Sequence, residues 1–298
     1  MSFLGRIAQK AGFSNGRKWD PESGLPDLTG KVAIVTGGNT GIGFVTAQEL
    51  HRKKCKVYIA CRSEERAKDA MKRINEANPG SEATLVYLPF DLTDLKSAKT
   101  AAETVKEKED RLDIIVCNAG IMAWPYEIKN GVEVQFWNHL GHFALVQPLI
   151  PLLRETSKKP DASVRVVSIA SKGHEFSPKA DFSSLDAVNR EMKSTWTRYG
   201  QAKLANILFA VALQERFKDD NVRSPITIIT RYLAMTPFEG AKTQLYLAAS
   251  KEVDEKDYRG RYFTPIATEE TPSAQAQDRE LAEQLWKLSE KVVAKGSA

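Results

Sequence analysis

Cysteine is scarce in this 298-residue chain, with three in all: Cys55, Cys61 and Cys117. An odd number without CxxC spacing indicates neither a disulfide framework nor a zinc site, and it fits a reducing, intracellular compartment. Long apolar runs are also missing, since none reaches the roughly 18 residues that a membrane-spanning helix needs. No internal repeat or low-complexity tract is present. A basic surplus is lacking where it would matter. The formal net charge is +5, but Arg6, Lys10, Arg17 and Lys18 fall in the first 18 residues with no acid beside them, and without those four the rest carries +1. The body therefore offers no positive field for nucleic acid. What it does have, 42% hydrophobic and 27% charged residues, suffices for the core of one large α/β domain or two small ones.

Residues 1–18 read as a separate arm. Phe3, Leu4, Ile7, Ala8 and Ala11 recur at helical spacing opposite the basic residues. That pattern is open to three readings: a helix in weak contact with a membrane surface, a mitochondrial address, or an untethered terminus. Pro21, Gly24 and Pro26 then form a linker. The expected organisation is an arm and linker over 1–26 and a single domain over 27–298. The expected location is cytoplasmic, with peripheral-membrane or mitochondrial placement as the alternatives that the arm leaves open.

From Lys31 onward strand and helix patterns alternate, which predicts a single doubly wound α/β domain of Rossmann type, its mostly parallel sheet flanked by helices. The apolar runs predict strands at 32–36, 56–60, 84–90, 113–117, 164–169 and 225–230. Helices are predicted at 41–53, 63–77, 94–108, 131–154, 197–218, 237–249 and 278–293. The last carries Leu281, Leu285, Leu288 and Val292 on one face, to cover the sheet or meet a partner subunit. Monomer and homodimer both remain open.

Within this pattern the apolar run Val32-Ala33-Ile34-Val35-Thr36 breaks into Gly37-Gly38-Asn39-Thr40-Gly41-Ile42-Gly43. Glycines let the backbone turn through φ > 0 and clear the approach of a pyrophosphate to a helix N-terminus, where unpaired N–H groups favour an anion. The second strand ends at Cys61-Arg62-Ser63. An enzyme that selects NAD carries Asp or Glu there for the ribose 2′-OH. Arg62 instead offers a fork suited to a 2′-phosphate, a solvated loop cation being the alternative. NADP is the expected cofactor. The third and fourth strands end at Asp91-Leu92-Thr93 and Asn118-Ala119-Gly120, where a doubly wound sheet opens its ligand crevice. Asp91 can reach the adenine amino group or cap a helix, a task that Asp94 also fits. The expected cofactor set is Gly37, Asn39, Thr40, Gly41, Ile42, Gly43, Arg62, Asp91, Leu92, Asn118, Ala119 and Gly120, with Tyr199 and Lys203.

Tyr199 and Lys203 stand four residues apart, hence on one helix face. A phenol has a pKa near 10, so acid/base work at neutral pH needs a nearby positive charge, which Lys203 supplies. Upstream, Val164–Ile169 runs into a polar end at Ala170-Ser171-Lys172-Gly173-His174. Ser171 falls at the strand edge where a carbonyl could be held, and Ser168 within the strand. His174 either lines the pocket or is a loop histidine without a chemical role. Asn138-His139-Leu140-Gly141-His142 lies inside a predicted apolar helix, where Asn-x-x-Gly works against helix propensity and marks a candidate site. His139 and His142 are assigned to packing or surface.

Together these motifs resemble the short-chain dehydrogenase/reductase family, from about Asp27 to the C-terminal helix. The carriers are Thr36-Gly37-x-x-x-Gly41-Ile42-Gly43, Asn118-Ala119-Gly120 and Tyr199-x-x-x-Lys203. The forms Gln135-Phe136-Trp137-Asn138-His139-Leu140-Gly141-His142-Phe143 and Arg198-Tyr199-Gly200-Gln201-Ala202-Lys203-Leu204-Ala205-Asn206 are similar to its retinol-dehydrogenase-like and WW-domain-oxidoreductase-like branch. The resemblance implies Ser171 as the catalytic serine, with Ser168 as second choice. It also implies Asn138 as the holder of a water that links the lysine to solvent, completing a set of Asn138, Ser171, Tyr199 and Lys203. The implied activity is NADP-dependent interconversion of a carbonyl and an alcohol on a lipophilic small molecule. The rival is an NADP-binding sensor or scaffold that keeps the fold and has lost turnover.

One departure motivates that rival. After Ile226-Thr227-Ile228-Ile229 the branch continues with a His-Pro-Gly turn and a substrate-covering segment, whereas here Thr230-Arg231-Tyr232-Leu233-Ala234-Met235 leads at once into Thr236-Pro237-Phe238-Glu239. Those four residues form a helix start, with Thr as N-cap, Pro at N1 and Glu at N3. The connection is short by roughly two dozen residues against the family pattern, a change that loops tolerate better than cores.

Overall fold

A computed structural model describes residues 18–229 and 235–296. The basic arm, apart from Lys18, and residues 230–234 of the short connection lie outside the described residues. Parallel strands that are covered on both faces need continuous apolar runs, and the chain supplies them at β1 (Val32–Thr36), β2 (Lys56–Cys61), β3 (Leu85–Pro89) and β4 (Ile114–Cys117). A two-stranded hairpin, β5 (Ile128–Lys129) with β6 (Val132–Glu133), stands apart from the main sheet. The sheet continues with β7 (Val164–Ser171), β8 (Val222–Arg223), β9 (Ile226–Ile229), β10 (Tyr262–Thr264) and β11 (Thr268–Glu270). Its order is β11-β10-β9-β7-β4-β1-β2-β3, with β8 beside β7 and only the β10–β11 pair antiparallel.

The longer helices are α1 (Gly41–Arg52), α2 (Glu64–Ala77), α3 (Leu95–Lys108), α4 (Trp137–Val146), α5 (Ile150–Ser157), α6 (Thr195–Arg216), α7 (Pro237–Ala249) and α8 (Arg279–Gly296). Side chains alternate along β1. Val32 and Ile34 join one core with α3, α4, α6 and α8, while Ala33 and Val35 join the other with α1, α2 and α7. Helix α8 buries Leu285, Trp286 and Leu288 on the first of these cores, chiefly against α6. The stretch 19–26, expected as a linker, is docked on the domain. Trp19 is buried and meets the Tyr246 ring edge-on at 5.6 Å, and Asp20 pairs with Lys242 at 3.0 Å.

The helix predicted over 131–154 is not continuous. Asn130 and Gly131 take φ of +50° and +78°, an Asn-Gly turn that makes a hairpin. Pro148 and Pro151 each open a new helical segment, first the 3-10 turn Gln147–Leu149 and then α5. Asn138 consequently lies in the first turn of α4, not in mid-helix. Gly141 answers a packing need: a Cβ there would lie 2.1 Å from the Leu92 carbonyl oxygen. The capping box expected at Thr236 and Glu239 is present. Among the described residues no helix is long and apolar enough to cross a membrane.

The α4 contact generates a direct test. Gly141→Ala pushes a methyl into a backbone carbonyl that cannot move alone, so a loss of about 3 kcal/mol is expected, the upper part of the usual range for overfilled interiors. In a chain of this size that corresponds to a fall in Tm of roughly 6–12 °C, read by calorimetry. An unchanged Tm would show that α4 does not depend on this close approach.

Candidate active site

The order of the strands reverses between β1 and β4, and the crevice opens at their carboxyl ends. Gly37 and Gly41 turn there with φ of +66° and +57°. A Cβ on Gly43 would lie 2.4 Å from both Asn118 Nδ2 and the Gly37 carbonyl oxygen, so glycine alone lets α1 begin this close to the two strands. Thr40 precedes α1 without a side-chain cap, whereas Ser63, Asp94, Ser194 and Thr236 cap the helices that follow them. The first N–H groups of α1 are thus left for an anion.

A cavity of about 510 Å³ extends from this turn. It is lined by all of the expected cofactor residues except Tyr199 and Lys203. Toward β2 the lining includes Arg62 and also Arg66, which sequence reading missed although it stands one helical turn further on. Both are exposed, and Glu64, the acid nearest Arg62 in sequence, pairs with Lys68 at 2.7 Å. Asp91 lines the cavity but its Oδ1 already accepts from the Thr93 N–H and hydroxyl, both at 2.8 Å, while Asp94 caps α3.

At the β4 end the lining is the strip Asn118–Ile121. Thr36 Oγ1 accepts from the Asn118 and Ala119 N–H groups at 2.9 Å each, and Asn118 Nδ2 donates to the Thr36 carbonyl at 2.9 Å. The Asn138 side chain brackets Ile121, accepting its N–H at 2.6 Å and donating to its carbonyl at 2.8 Å. His139 and His142 are both buried, and burial lowers their pKa values to about 3 and about 4, so both are neutral.

Beyond Gly120 the remaining candidates converge. A Cβ on Gly120 would lie 3.2 Å from Asn138 Oδ1 and 3.6 Å from Lys203 Nζ. Lys203 Nζ stands 5.7 Å from the Tyr199 ring centroid and donates to the Ile169 carbonyl at 3.0 Å. A Cβ on Gly173 would lie 3.1 Å from the Tyr199 ring and 3.3 Å from Ser171 Oγ, so this glycine lets the two side chains flank one point. Gly200 in turn seats α6 on the 3-10 turn Lys172–Phe176, since its Cβ would meet the Gly173 carbonyl at 2.6 Å. Ser168 is turned inward and donates to the Asn206 carbonyl at 2.9 Å. His174 is buried, bridging the Ser171 carbonyl at 2.8 Å and the Ser273 N–H at 3.4 Å, which is a structural clasp. Among the described residues no cluster of His, Cys, Asp and Glu is arranged to hold a metal.

A family model described as short chain dehydrogenase matches residues 31–243 of this chain. The chain belongs to the short-chain dehydrogenase/reductase family. It is 37% identical over 315 residues to short chain dehydrogenase/reductase dpchH of Colletotrichum higginsianum, covering 94% of this chain and 78% of the relative. Retinol dehydrogenase 14 of Mus musculus is 33% identical over 300 residues, covering 89% of this chain and 86% of the relative. Among solved structures, an uncharacterized protein from Mycobacterium paratuberculosis superposes with a TM-score of 0.76 at 29% identity, covering 94% of this chain and 98% of that one. This short-chain dehydrogenase/reductase is thus an oxidoreductase of the retinol-dehydrogenase-like branch, whose fold binds a nicotinamide cofactor. The glycine cradle at Gly37, Gly41 and Gly43, with the uncapped start of α1, fits the phosphates of such a group.

Lys203 carries a pH dependence. Burial lowers its ammonium from 10.5 to about 8. Below pH 8 folded and unfolded chains both hold the proton, and the folded one bears the full desolvation penalty. Between the two values the unfolded chain binds more protons, so stability rises with pH. Lys203→Met is therefore expected to raise the Tm of the ligand-free protein at pH 7, by a margin that shrinks from pH 8 to 10.5. Thermal melts across that range check this, and a margin independent of pH would contradict the assignment.

Proposed function

We propose that this short-chain dehydrogenase/reductase uses NADP(H) to interconvert a carbonyl and an alcohol on a lipophilic small molecule. The observation that carries the reading is the convergence of Ser171, Tyr199 and Lys203 beyond Gly120, at one end of a cleft whose other end holds two arginines. When bound, NADPH supplies the hydride to the carbonyl carbon. Ser171 Oγ orients and polarises the carbonyl oxygen, and the Tyr199 hydroxyl delivers the proton to it. The Lys203 ammonium favours the phenolate that remains, and it holds the cofactor ribose. Asn138 supports the proton relay while its amide fixes Ile121. Gly37, Asn39, Thr40, Gly41, Ile42 and Gly43 take the phosphates. Asp91 and Leu92 take the adenine, and Asn118, Ala119 and Gly120 take the nicotinamide side.

A lipophilic substrate is supported by the large apolar side chains left exposed on the helix of Tyr199 and on the segments after the strip and β7. Trp196 meets the Tyr199 ring edge-on at 6.0 Å and is 49% exposed. Met122, Trp124 and Phe176, 46%, 51% and 63% exposed, extend from the strip and from the turn after β7. A second reading, cofactor binding with impaired turnover, also has an observation behind it. Strand β9 ends at Ile229 and α7 begins at Pro237, leaving seven residues between them. The alignment to the Colletotrichum relative runs over 315 residues, whereas 94% of 298 is about 280, so the relative carries residues without counterparts here.

Two measurements test these readings. NADPH is expected to bind at least about tenfold more tightly than NADH, because hydrogen bonds to a charged group are worth roughly 1.5–3 kcal/mol. Arg62→Ala with Arg66→Ala should abolish the preference, and equal affinities in the wild type would reject NADP. Tyr199→Phe should remove NADPH oxidation with a panel of aldehydes and ketones while leaving NADPH binding nearly intact. Wild-type rates in that variant would remove Tyr199 as the acid. NADPH binding without turnover in the wild type would favour the impaired reading.

A further inference from the structure

The strip Asn118–Ile121 hangs from two side chains, the Thr36 hydroxyl and the Asn138 amide. Both holders meet at one buried ring. His142 Nε2 lies 2.9 Å from Thr36 Oγ1, and His142 Nδ1 lies 2.8 Å from the Asn138 carbonyl oxygen. A hydroxyl has two lone pairs and one proton. The Asn118 and Ala119 amides occupy the lone pairs, so the proton must be donated. His142 Nε2 at 2.9 Å is the nearer acceptor, with the Val116 carbonyl at 3.3 Å. Nδ1 faces a carbonyl and therefore carries the ring proton, an assignment made from the network. Only the neutral Nδ1–H imidazole satisfies every partner. The ring is further fixed by stacking on Phe90, centroid to centroid 6.4 Å.

We propose that His142 is a positioning residue that sets the Asn118–Ile121 strip, and through it the seat of the nicotinamide against Tyr199 and Lys203. The proposal rests on the reading that the nicotinamide lies beside Gly120. The imidazole touches neither the cavity nor the reacting atoms. It acts by tying the end of β1 to the first turn of α4, two elements that each hold one end of the strip. A leucine would fill the space but leave the Thr36 proton and the Asn138 carbonyl without this partner. A glutamine reaches about as far as Nε2 and restores the Thr36 bond alone.

The test compares wild type, His142→Leu, His142→Gln and Thr36→Val as full chains. The ligand-free readout is amide hydrogen exchange. In His142→Leu the Asn118 and Ala119 amides should exchange about tenfold faster, as expected for losing one hydrogen bond's worth of protection, while β2 and α2 are unchanged. Thr36→Val should reproduce this, and His142→Gln should recover most of the protection. The ligand readouts split the cofactor. Affinity for 2′,5′-ADP, which engages the arginine end, should stay within about twofold, while the NADPH fluorescence change on binding is lost. The kcat should fall on the order of a hundredfold for a misplacement near 1 Å, with His142→Gln intermediate. Unaltered exchange at 118–121 in both His142→Leu and Thr36→Val would overturn the proposal. So would a parallel loss of 2′,5′-ADP binding and β2 protection, which marks a general structural role. If His142→Leu does not fold, His142→Gln and Thr36→Val decide by the same exchange readout. Wild type that binds NADH but not 2′,5′-ADP would sink the NADP reading and leave the exchange result to judge His142.

Discussion

Everything in the cleft depends on how closely the start of α1 approaches the carboxyl ends of β1 and β4. Asn118 Nδ2, just beyond β4, donates to the Thr36 carbonyl at the end of β1 at 2.9 Å. The same nitrogen is what a Cβ on residue 43 would strike. Opening the crevice therefore requires glycine at position 43, and keeping it from widening requires the Thr36 and Asn118 bonds. A cavity of about 510 Å³ between two hydrogen-bonded parallel strands and an uncapped helix is the result. Phosphates suit this place because backbone donors are already aimed at it and need no ordering when a ligand arrives.

The far end of the cleft is arranged at the expense of stability. Lys203 is buried, and the protein bond to its ammonium goes to the Ile169 carbonyl, so desolvation of a charge is only partly compensated. An alkyl side chain would sit there more comfortably. Such a group is explicable if its charge acts on something nearby, and the Tyr199 ring at 5.7 Å is that neighbour. The surrounding glycines serve the same end. Gly173 and Gly200 bring the turn after β7 against α6 tightly enough that Ser171 and Tyr199 border one point. Rigidity of this kind is what keeps an unfavourable charge from relaxing toward solvent.

Much of this was legible in the sequence, and what was missed shares one cause. Strands β1, β2 and β4 read correctly because burial on both faces demands nearly continuous apolar runs, and β7 because its apolar residues outweigh Arg165 and Ser168. The glycine turn read correctly because a backbone requirement is written as the residue itself. The continuous helix over 131–154 failed because Asn130-Gly131, Pro148 and Pro151 outweigh the apolar periodicity around them. Strands β10 and β11, three residues each, form by adding to the sheet edge, β10 beside β9 and β11 beside β10, and no local pattern announces that pairing. At the site the same divide holds. Tyr199 and Lys203 are recognisable within one helix, whereas His142 acquires its partners from Thr36, 106 residues away. Arg66 was missed for a simpler reason: an exposed helical arginine looks like any solvated cation until a cavity is found beside it.

The two ends of the cleft are unequal, and the inequality bears on the proposed reaction. The end at the glycine turn is lined by residues between Gly37 and Ile121 and so needs little from the chain beyond β4. Met122 and Trp124 follow the Asn118–Ile121 strip, Phe176 lies in the turn after β7 and Trp196 opens α6 beside Tyr199, and all four are left between 46% and 63% exposed. Scattered exposed apolar residues need no explanation, but one of these, Trp196, meets the Tyr199 ring edge-on at 6.0 Å. A seven-residue connection from β9 to α7 supplies little chain to cover them. In the proposed reading the substrate's own apolar body takes over that covering, excluding water from the carbonyl where a longer segment would otherwise do so. Binding and desolvation then become the same event, so a poorly fitting substrate leaves the carbonyl wet and the Ser171 and Tyr199 dipoles screened. Discrimination would arise at the chemical step, through how completely each substrate shields its own carbonyl, more than through a closing lid.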